Sequence, residues 1–340
     1  MYIMEPYDDA LREILKDGTK KQNRTGVDTI GINGMQKHYD ISEYYPLLTG
    51  RKISPKAGLA ELLWFLSGST NNKDLVALGA KFWTPWVDRG FEQVNGYEED
   101  DFGPIYGFQL RHQGGNYREI RKLQKELKSD EEKLKDQEEW DRGFFTEENP
   151  LLDHHCVPKS SGMRHKLNQK KIQLKAVSGY DQLSYMQYEI KNSPFSRRIL
   201  FSLWNMQDFS KMRLPPCHYT YQVLVDGKNR LTGILTQRSN DLPCGVPFNI
   251  QFYSTLTLMF AHMGGFEPYE FVHNMNDAHI YVDQIDAVEE YLSLPKYDSP
   301  KIKINFKDIL DQQGNLQYTM DDFEIIDYKH GPFIKIPVAV

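Results

Sequence analysis

One stretch of the chain, residues 214–249, combines residue types that could carry out covalent chemistry. It opens on a corner set by two prolines, where Cys217 is followed by His218. Further along the chain come Arg238, Ser239 and Asn249. A thiolate is a soft nucleophile, an arginine can hold an anion, and an amide can pair with a planar polar ring. The stretch therefore predicts a cysteine nucleophile beside a nucleotide pocket.

Three other places offer groups to such a pocket. Glu61 lies in the apolar run 60–66, where a carboxylate is costly unless it has a partner or a function. The alternative is that it faces solvent on the polar side of a helix. Aromatic residues at 82–86 surround a proline and could stack a flat ring or simply fill the core. A loop bracketed by glycines, residues 103–109, presents Tyr106.

The composition is that of a globular protein with a substantial core. The chain has 340 residues, 40% of them hydrophobic, and its net charge is −6. This charge argues against a general nucleic-acid coat, so nucleic acid is not an expected partner. The acidic, proline-interrupted start is unlike a signal peptide, and we expect no membrane span. Three irregularly spaced cysteines indicate free thiols and a cytoplasmic setting.

Helices and strands alternate around these residues. Apolar residues at helical spacing predict a helix over 5–15, and an Asn-Gly pair between two strand-like runs predicts a hairpin within 28–42. The same patterns predict helices at 60–66 and 250–262, and strands at 196–205, 219–225, 231–237 and 271–281. His279 and Tyr281, two residues apart on the last strand, are predicted to share one face.

Adjacent residues of a strand point to opposite faces of the sheet, and this rule concerns two pairs of neighbouring residues. Cys217 and His218 are therefore not predicted to form a protease-like dyad. Arg197 and Arg198 enter a strand side by side. Both could bind anions across an irregular entry, or by reaching into a neighbouring subunit. The alternative is a surface pair that binds nothing.

Residues 117–176 differ in composition from the rest of the chain. Residues 118–142 are dense in charged side chains and keep a thin apolar seam, which predicts a charged surface helix. Beyond it, an Asp-His-His-Cys run at 153–156 and then His165 superficially resemble metal ligands, in a stretch that reads as a basic loop. Their spacing fits no ordinary zinc site. We therefore expect a partly flexible insertion without a metal ion.

Together the motifs resemble those of the thymidylate synthase family, folate-dependent enzymes that methylate deoxyuridine monophosphate (dUMP). They follow the family's order and approximate spacing from Arg24 to Val340, with residues 117–176 outside the similarity. The stretches that carry the resemblance are Glu61-Leu62-Leu63-Trp64-Phe65, Pro215-Pro216-Cys217-His218, Gln237-Arg238-Ser239 with Asp241, Gly245-Val246-Pro247-Phe248-Asn249 and Asp277-Ala278-His279-Ile280-Tyr281.

The resemblance implies an α/β (α+β) protein with a three-layer fold around a large twisted mixed β-sheet. It implies one catalytic domain over residues 1–340, with the insertion at 117–176. It also implies a homodimer whose two sheets pack back to back. The substrate would be dUMP, and the enzyme would be a methyltransferase of dTMP biosynthesis.

The resemblance also assigns the phosphate of dUMP to arginines from two chains. Arg24 and Arg238, with Ser239, would hold it from the site's own chain. Arg197 and Arg198 would cross from the partner, which would account for their adjacency.

For the base, the resemblance implies that Cys217 adds to uracil C6, so that C5 becomes nucleophilic. Arg238 would favour the thiolate. Asn249 has a donor and an acceptor on one amide, which complements uracil N3–H and O4, whereas an aspartate there would suit cytosine. The other residues that would bind the nucleotide are Gln237, His279 and Tyr281.

The implied co-substrate is 5,10-methylenetetrahydrofolate, and no metal is expected. Asp241 would accept a hydrogen bond from its pterin. Glu61 would organise water and move protons, and a water near Tyr106 would remove the C5 proton. The residues that would line the folate site are Phe82, Trp83, Trp86, Gly245, Phe248, Ala339 and Val340.

Departures from the family pattern lie on the folate side. Cys244 stands where leucine is usual, Asp283-Gln284 replaces a frequent Asn-His, and Arg51 lies near the usual position of a lysine for the folate's glutamate tail. These differences leave open the alternative that the chain is a deoxyuridylate hydroxymethylase. In such an enzyme, water instead of hydride adds to the methylene group attached to C5. A second alternative is a nucleotide- or RNA-binding regulator without turnover, although binding alone would not require Cys217.

Overall fold

The computed structural model describes residues 1–23, 25–144 and 159–338. They divide into two compact units, Met1–Arg111 with Asp181–Val340 and His112–Tyr180. The predictions made for Arg24, for residues 153–156, and for Ala339 and Val340 concern residues outside the described ranges. Among the described residues no cluster of His, Cys, Asp or Glu is placed to hold a metal ion, and no helix is long and apolar enough to cross a membrane.

In chain order the helices of the described residues are α1 (Glu5–Asp17), α2 (Pro55–Leu66), α3 (Asn72–Ala77), α4 (Arg89–Asn95), α5 (Tyr106–His112), α6 (Tyr117–Phe144), α7 (Lys159–Val177), α8 (Gln182–Asn192), α9 (Val246–Gly264) and α10 (Ile285–Ser293). The strands are β1 (Thr19–Lys21), β2 (Thr29–Asp40), β3 (Leu200–Ser202), β4 (His218–Val225), β5 (Arg230–Gln237), β6 (Asn240–Asp241), β7 (Glu267–Tyr281), β8 (Lys301–Ile304) and β9 (Phe323–Ile326). Single 3-10 turns occur at Thr84–Trp86, Met206–Lys211, Val282–Gln284 and Met320–Asp322.

A large mixed sheet forms the centre of the first unit. Seven of the described strands belong to it, in the order β1-β2-β7-β5-β4-β3, with β6 beside the far end of β7. β7 pairs parallel to β5 and β6, and the remaining pairs are antiparallel. Strands β8 and β9 form a separate ladder. The predicted mixed α/β fold around a large sheet is confirmed.

Helix α9 forms the core beneath this sheet. Its side chains are buried along most of its length, and it packs on α2, β5 and β7. Pro247 fits its first turn, where no backbone N–H is needed, so the helix starts four residues before the predicted 250. It ends at Gly264 and is capped by Gly265, whose φ of +74° suits glycine. The site described below lies at the start of this helix.

Most of the predicted elements are confirmed. α1 begins at Glu5 and ends against Gly18, whose backbone N–H donates to the Ile14 carbonyl. α2 contains the predicted helix 60–66, β4 and β5 correspond to 219–225 and 231–237, and β7 contains 271–281.

The predicted hairpin within 28–42 is wrong. β2 is continuous through Asn33 and Gly34, and its antiparallel register with β7 is the same on both sides of the glycine. Gly34 has a φ of +76°, so the turn-type conformation is present without a reversal of the chain. The fifteen-residue β7 offers a partner along the whole length of β2, and this pairing outweighs the local turn signal.

The predicted strand at 196–205 is also shorter than expected. Only Leu200–Ser202 pairs, with Thr220–Gln222 of β4. Arg197 and Arg198 therefore precede the strand in irregular backbone, so strict alternation does not govern where they point.

The second unit is an antiparallel pair of charged helices. α6 confirms the charged helix predicted at 118–142, and Ile120, Leu123 and Leu127 of its apolar seam are buried. The basic stretch predicted to be a loop is helical from Lys159 onward. Lys170 of α7 forms ion pairs with Glu126 and Asp130 of α6. The further ion pairs between the two helices are Lys171–Glu131 and Arg164–Glu138.

Candidate active site

The cysteine corner is tied to the core by backbone hydrogen bonds. Cys217 lies directly before β4, and its N–H donates to the phenol oxygen of Tyr106 over 2.7 Å. Its carbonyl accepts from the N–H of Arg238 at the end of β5, over 2.8 Å. Burial raises the pKa of Tyr106 well above its usual value, so this phenol keeps its proton beside the sulfur. The sulfur is thus held on a rigid turn.

The guanidinium of Arg238 is fixed beside this sulfur. Its Nε donates to the Pro216 carbonyl and its Nη2 to the Pro215 carbonyl, both over 2.9 Å. The same Nη2 lies 3.8 Å from the Sγ of Cys217. Arg238 thus places a hydrogen-bond donor and a permanent positive charge directly beside the sulfur.

His218 is not arranged to act as a base for Cys217. Its Nδ1 lies 2.7 Å from the hydroxyl of Tyr253 on α9, and its ring packs on Tyr106. Burial, with His273 nearby, lowers the pKa of His218 to about 3, so the ring is neutral. The described contacts include no hydrogen bond from this ring to the sulfur, as expected from a pair that faces apart.

Glu61 is buried and directed into the cleft. Its side chain on α2 is only 4% exposed, so the solvent-facing alternative is excluded. The Nε1 of Trp83 donates to Oε1 over 2.6 Å. Burial raises the pKa of Glu61 to about 7, although the bond from Trp83 opposes this. A carboxyl group with this pKa can both give and take a proton near neutrality.

Asn249 is the last member of a chain of buried amide and imidazole groups. The Nε2 of Gln237 donates both to the Ser239 carbonyl and to Oδ1 of Asn249, each over 3.0 Å. The Nε2 of His273 lies 3.0 Å from Oε1 of Gln237. A backbone carbonyl can only accept, so Ser239 fixes which end of Gln237 is the donor. Gln237 in turn fixes the orientation of the Asn249 amide.

His279 and Tyr281, which were predicted to bind the nucleotide, lie together at the end of β7. The rings of His279 and Tyr281 meet edge to face with centroids 5.3 Å apart, which confirms that they share a face. Nδ1 of His279 lies 3.2 Å from the carboxylate of Asp277. The hydrogen bond from His279, together with Lys21, lowers the pKa of Asp277 to about 2.

Aromatic rings and one acid form the third side of the cleft. Phe82 stacks on Phe248 with centroids 5.2 Å apart, and Trp83 lies against Trp86. Oδ1 of Asp241 accepts from the N–H of Cys244 over 3.1 Å. Burial raises the pKa of Asp241 to about 6. This wall combines flat apolar surface with one acceptor, which suits a planar heterocycle that carries N–H groups.

Most of the predicted residues line one cleft of the first unit. Its nucleophile side includes Glu61, Tyr106, Leu214, Cys217 and His218. Its polar side includes Gln237, Ser239, Asn249, His279 and Tyr281. Its aromatic side includes Phe82, Trp83, Trp86, Asp241, Gly245 and Phe248. Thr25, Cys244 and Val338 complete the lining.

Arg197 and Arg198 lie outside this cleft. Both are exposed, and among the described residues no carboxylate forms an ion pair with either guanidinium. Within one chain these two arginines therefore do not contribute to the site.

Sequence reasoning missed several residues that support the cleft. Tyr253 and His273 bind the lining residues from behind and are buried in apolar stretches, where polar side chains at inward positions are the available signal. Gln284 donates to Asp241. Arg51, expected near a glutamate tail, is instead buried and donates to the Pro243 carbonyl over 2.6 Å.

Comparison with known proteins decides the family. The sequence model of the family described as thymidylate synthase matches residues 5–340. The chain belongs to the thymidylate synthase family. Members of this family are methyltransferases, and the chain is accordingly an enzyme of that class.

Three relatives show how far the similarity to the thymidylate synthase family extends. The thymidylate synthases of human herpesvirus 8 type P (isolate GK18) and of Homo sapiens are each 35% identical over 334 residues. These alignments cover 97% of this chain and 82% and 88% of the relatives. The thymidylate synthase of Herpesvirus ateles is 34% identical over 349 residues, covering 100% of this chain and 99% of the relative.

Proposed function

We propose that the protein converts dUMP and 5,10-methylenetetrahydrofolate into dTMP and dihydrofolate. The observation that carries the proposal is the position of the Cys217 sulfur. It lies 3.8 Å from the fixed guanidinium of Arg238, in the same cleft as the buried Glu61 and the oriented Asn249. No observation in the described residues favours the hydroxymethylase or the regulator.

The proposed reaction begins with addition of the Cys217 thiolate to C6 of uracil. The electron pair of the C5–C6 bond moves toward O4, and C5 then forms a bond to the one-carbon unit. Loss of the C5 proton and later departure of the sulfur restore the ring double bond. When bound, the folate would supply the carbon and a hydride: the bond between this carbon and the folate nitrogen breaks, the hydride makes the carbon a methyl group, and the folate leaves as dihydrofolate.

Asn249 is proposed to select uracil and to stabilise its developing charge. Its Oδ1 already accepts from Gln237, so the Nδ2 group is available to donate toward O4, while Oδ1 can also accept from N3–H. Cytosine presents a donor in place of O4 and would face the Nδ2 donor. The amide thus distinguishes the two bases by hydrogen-bond polarity.

Glu61 and Tyr106 are proposed to handle protons around the ring. The pKa of Glu61, about 7, lets it exchange protons with water near O4. Tyr106 stays protonated beside Cys217 and would hold the water that removes the C5 proton. Both groups line the cleft, which supports these roles.

The folate site is proposed for the aromatic side of the cleft. The residues found there fit a pterin, because Phe82, Phe248 and the two tryptophans offer flat surface and Asp241 offers an acceptor. Gly245 and Val338 also line the cleft. Ala339 and Val340 are proposed to complete the wall.

The remaining nucleotide contacts are proposed for the sugar and the phosphate. His279 and Tyr281 share one face at the cleft and would hold the sugar hydroxyl. Ser239, Arg238 and Arg24 would bind the phosphate from the same chain. Arginines from a second chain would add further charge-assisted hydrogen bonds to its oxygens.

We propose a homodimer in which Arg197 and Arg198 reach the partner's phosphate. One face of the sheet packs on α9, and the other carries side chains that are only partly buried in a single chain, such as Ile234 and Leu224. Covering this face with a second copy would remove apolar surface from water. We also propose a cytoplasmic location and no nucleic-acid partner.

The test is a direct assay with dUMP and methylenetetrahydrofolate. We expect a methyl group to replace the C5 hydrogen, so that the nucleotide gains the mass of one CH2 while dihydrofolate appears in equal amount. Cys217→Ser should bind dUMP but form no product, because its hydroxyl is a poor nucleophile. A hydroxymethylated nucleotide, or normal turnover by Cys217→Ser, would refute the proposal.

A further inference from the structure

Gln284 connects three segments of the chain through one buried amide. Its Oε1 accepts from the N–H of Tyr281 over 3.1 Å. Its Nε2 donates to the carbonyl of Pro337 over 2.9 Å, and lies 3.4 Å from Oδ2 of Asp241. The side chain is fully buried, so water does not replace these partners.

The orientation of this amide is set by the backbone. The N–H of Tyr281 can only donate and the carbonyl of Pro337 can only accept, so Oε1 must face the first and Nε2 the second. The other hydrogen of Nε2 is then left for Asp241. A flipped amide would place its oxygen against the Pro337 carbonyl and its NH2 group against the Tyr281 N–H. Both contacts would be unfavourable in a buried site.

Each segment held by Gln284 contributes to the cleft. Tyr281 lines its sugar side and Asp241 its aromatic side. Val338, next to Pro337, lines it as well. We define residues 331–338 as the C-terminal segment. The start of this segment is bound to residues 49–52, by hydrogen bonds of Gly331 with Thr49 and of Pro332 with Lys52.

We infer that Gln284 is a positioning residue that keeps the C-terminal segment and Asp241 in register, so that both meet the folate together. This inference rests on the proposed function, because it assigns the ordering of the folate side to one residue. Asp241 would lose its alignment with the wall if the amide were removed, while the cysteine corner and Asn249 would be unaffected.

The test compares Gln284→Met with a matched control, Gln182→Met. Gln182 is also buried, and its amide also makes three hydrogen bonds, all with backbone groups of Gln109 and Ser202, but neither of these partners lines the cleft. We expect Gln284→Met to raise KM for the folate about tenfold, the scale of one lost hydrogen bond. KM for dUMP should rise much less, because Tyr281 is also held in β7 by its pairing with Thr29 of β2, and Gln182→Met should alter neither constant.

Comparing the rates of an early and a late step of the reaction gives a more specific test. Release of tritium from C5 of dUMP reports bond formation at C5, whereas dTMP reports the complete reaction. In Gln284→Met we expect dTMP formation to fall more than tritium release. An equal fall of both rates, or the same behaviour in Gln182→Met, would overturn the inference.

Gln284→Glu adds a test by pH. It places a second carboxyl group beside Asp241, where the neighbouring charged or titratable groups include His279, Asp283, Cys244 and Tyr7, with Arg51 next to the last two. Two carboxylates at this distance repel, and a shared proton restores a donor between them. We expect the folate KM of Gln284→Glu to improve as pH is lowered, with no such trend in Gln284→Met. A flat profile for both variants would overturn the inference.

Deuterium uptake by the C-terminal segment separates this inference from the proposed function. We expect faster uptake there in Gln284→Met than in Gln182→Met or the wild type. This measurement needs no substrate, so it stands even if the wild type makes no dTMP. Unchanged uptake would refute the positioning role and leave the proposed function intact.

Discussion

Glu61 and Asp241 are carboxyl groups that the fold removes from water to different extents. Glu61 has one hydrogen-bond donor, Trp83, and burial raises its pKa to about 7. Asp241 accepts from a backbone N–H, has His279 nearby, and reaches a pKa of about 6. An unpaired buried carboxylate costs stability, and the cost depends on pH.

The stability of the enzyme should therefore respond to pH through Glu61. Between pH 4.5 and 7 the unfolded chain releases the Glu61 proton while the folded chain keeps it, so stability falls as pH rises. At 1.36 kcal/mol per pKa unit the loss amounts to about 3 kcal/mol above pH 7. Glu61→Gln should be inactive. Between pH 5 and pH 8, however, its free energy of unfolding should increase relative to that of the wild type by up to this amount.

Urea unfolding at several pH values measures this difference. Glu43→Gln, at an exposed position, is the control. If the stability curves of Glu61→Gln and the wild type remain parallel across this range, burial does not raise the pKa of Glu61 as described.

Base selection should change with one atom of Asn249. In Asn249→Asp the carboxyl group still accepts from Gln237, but it replaces the Nδ2 donor with an oxygen that suits the amino group of cytosine. We expect the ratio of kcat/KM for dUMP over dCMP to fall about 100-fold or more. Asn168→Asp, at an exposed position of α7, should leave the ratio unchanged. Unchanged selectivity in Asn249→Asp would mean that another group recognises the base.

At the scale of elements, β2 shows how a local signal yields to pairing. Gly34 has a φ of +76°, and a Cβ there would meet no other atom. Gly34→Ala should therefore destabilise the protein by about 1 kcal/mol through backbone conformation alone. Gly227→Ala has the same free space without a positive φ, and it should be neutral or slightly stabilising. Thermal unfolding of both variants checks this, and equal Tm values would contradict it.

The elements that could be predicted are those whose signal lies within their own residues. α2 and α9 have apolar runs, and β4 and β5 flank a turn, so their sequences suffice. β2 and β3 could not be predicted, because their lengths depend on partners distant in the chain. Pairing energy between remote strands leaves little mark on either sequence.

The same distinction holds within the site. Cys217, Glu61 and Asn249 could be proposed from residue type, and the structure brings all three to one cleft. His273 and Gln284 could not be proposed in this way. Their importance comes from the hydrogen bonds that they form with Gln237 and with the Pro337 carbonyl. A buried histidine or glutamine has the same appearance in sequence whether it supports a site or a core.

At the scale of the whole molecule, the proposed dimer makes a prediction about mixed chains. Cys217→Ser and the double variant Arg197→Ala/Arg198→Ala should each be nearly inactive. Random reassociation of equal amounts should restore about a quarter of wild-type activity, because half of the dimers have one complete site. Activity after mixing checks this.

The control for the mixing experiment combines two variants that each lack a group which the site takes from its own chain. Cys217→Ser mixed with Glu61→Gln should recover nothing, since neither chain then has both groups. Recovery in this control, or none with the arginine variant, would mean that the two arginines do not serve the partner's phosphate.

The carbonyl of Ser239, which orients Gln237 and through it Asn249, has a consequence for inhibitor design. A peptide group cannot exchange its donor and acceptor ends, so the enzyme cannot adapt to an analogue with the opposite pattern by turning an amide over. Competitive inhibitors should therefore need uracil's arrangement at N3 and O4, whereas changes at C5 remain open to the chemist.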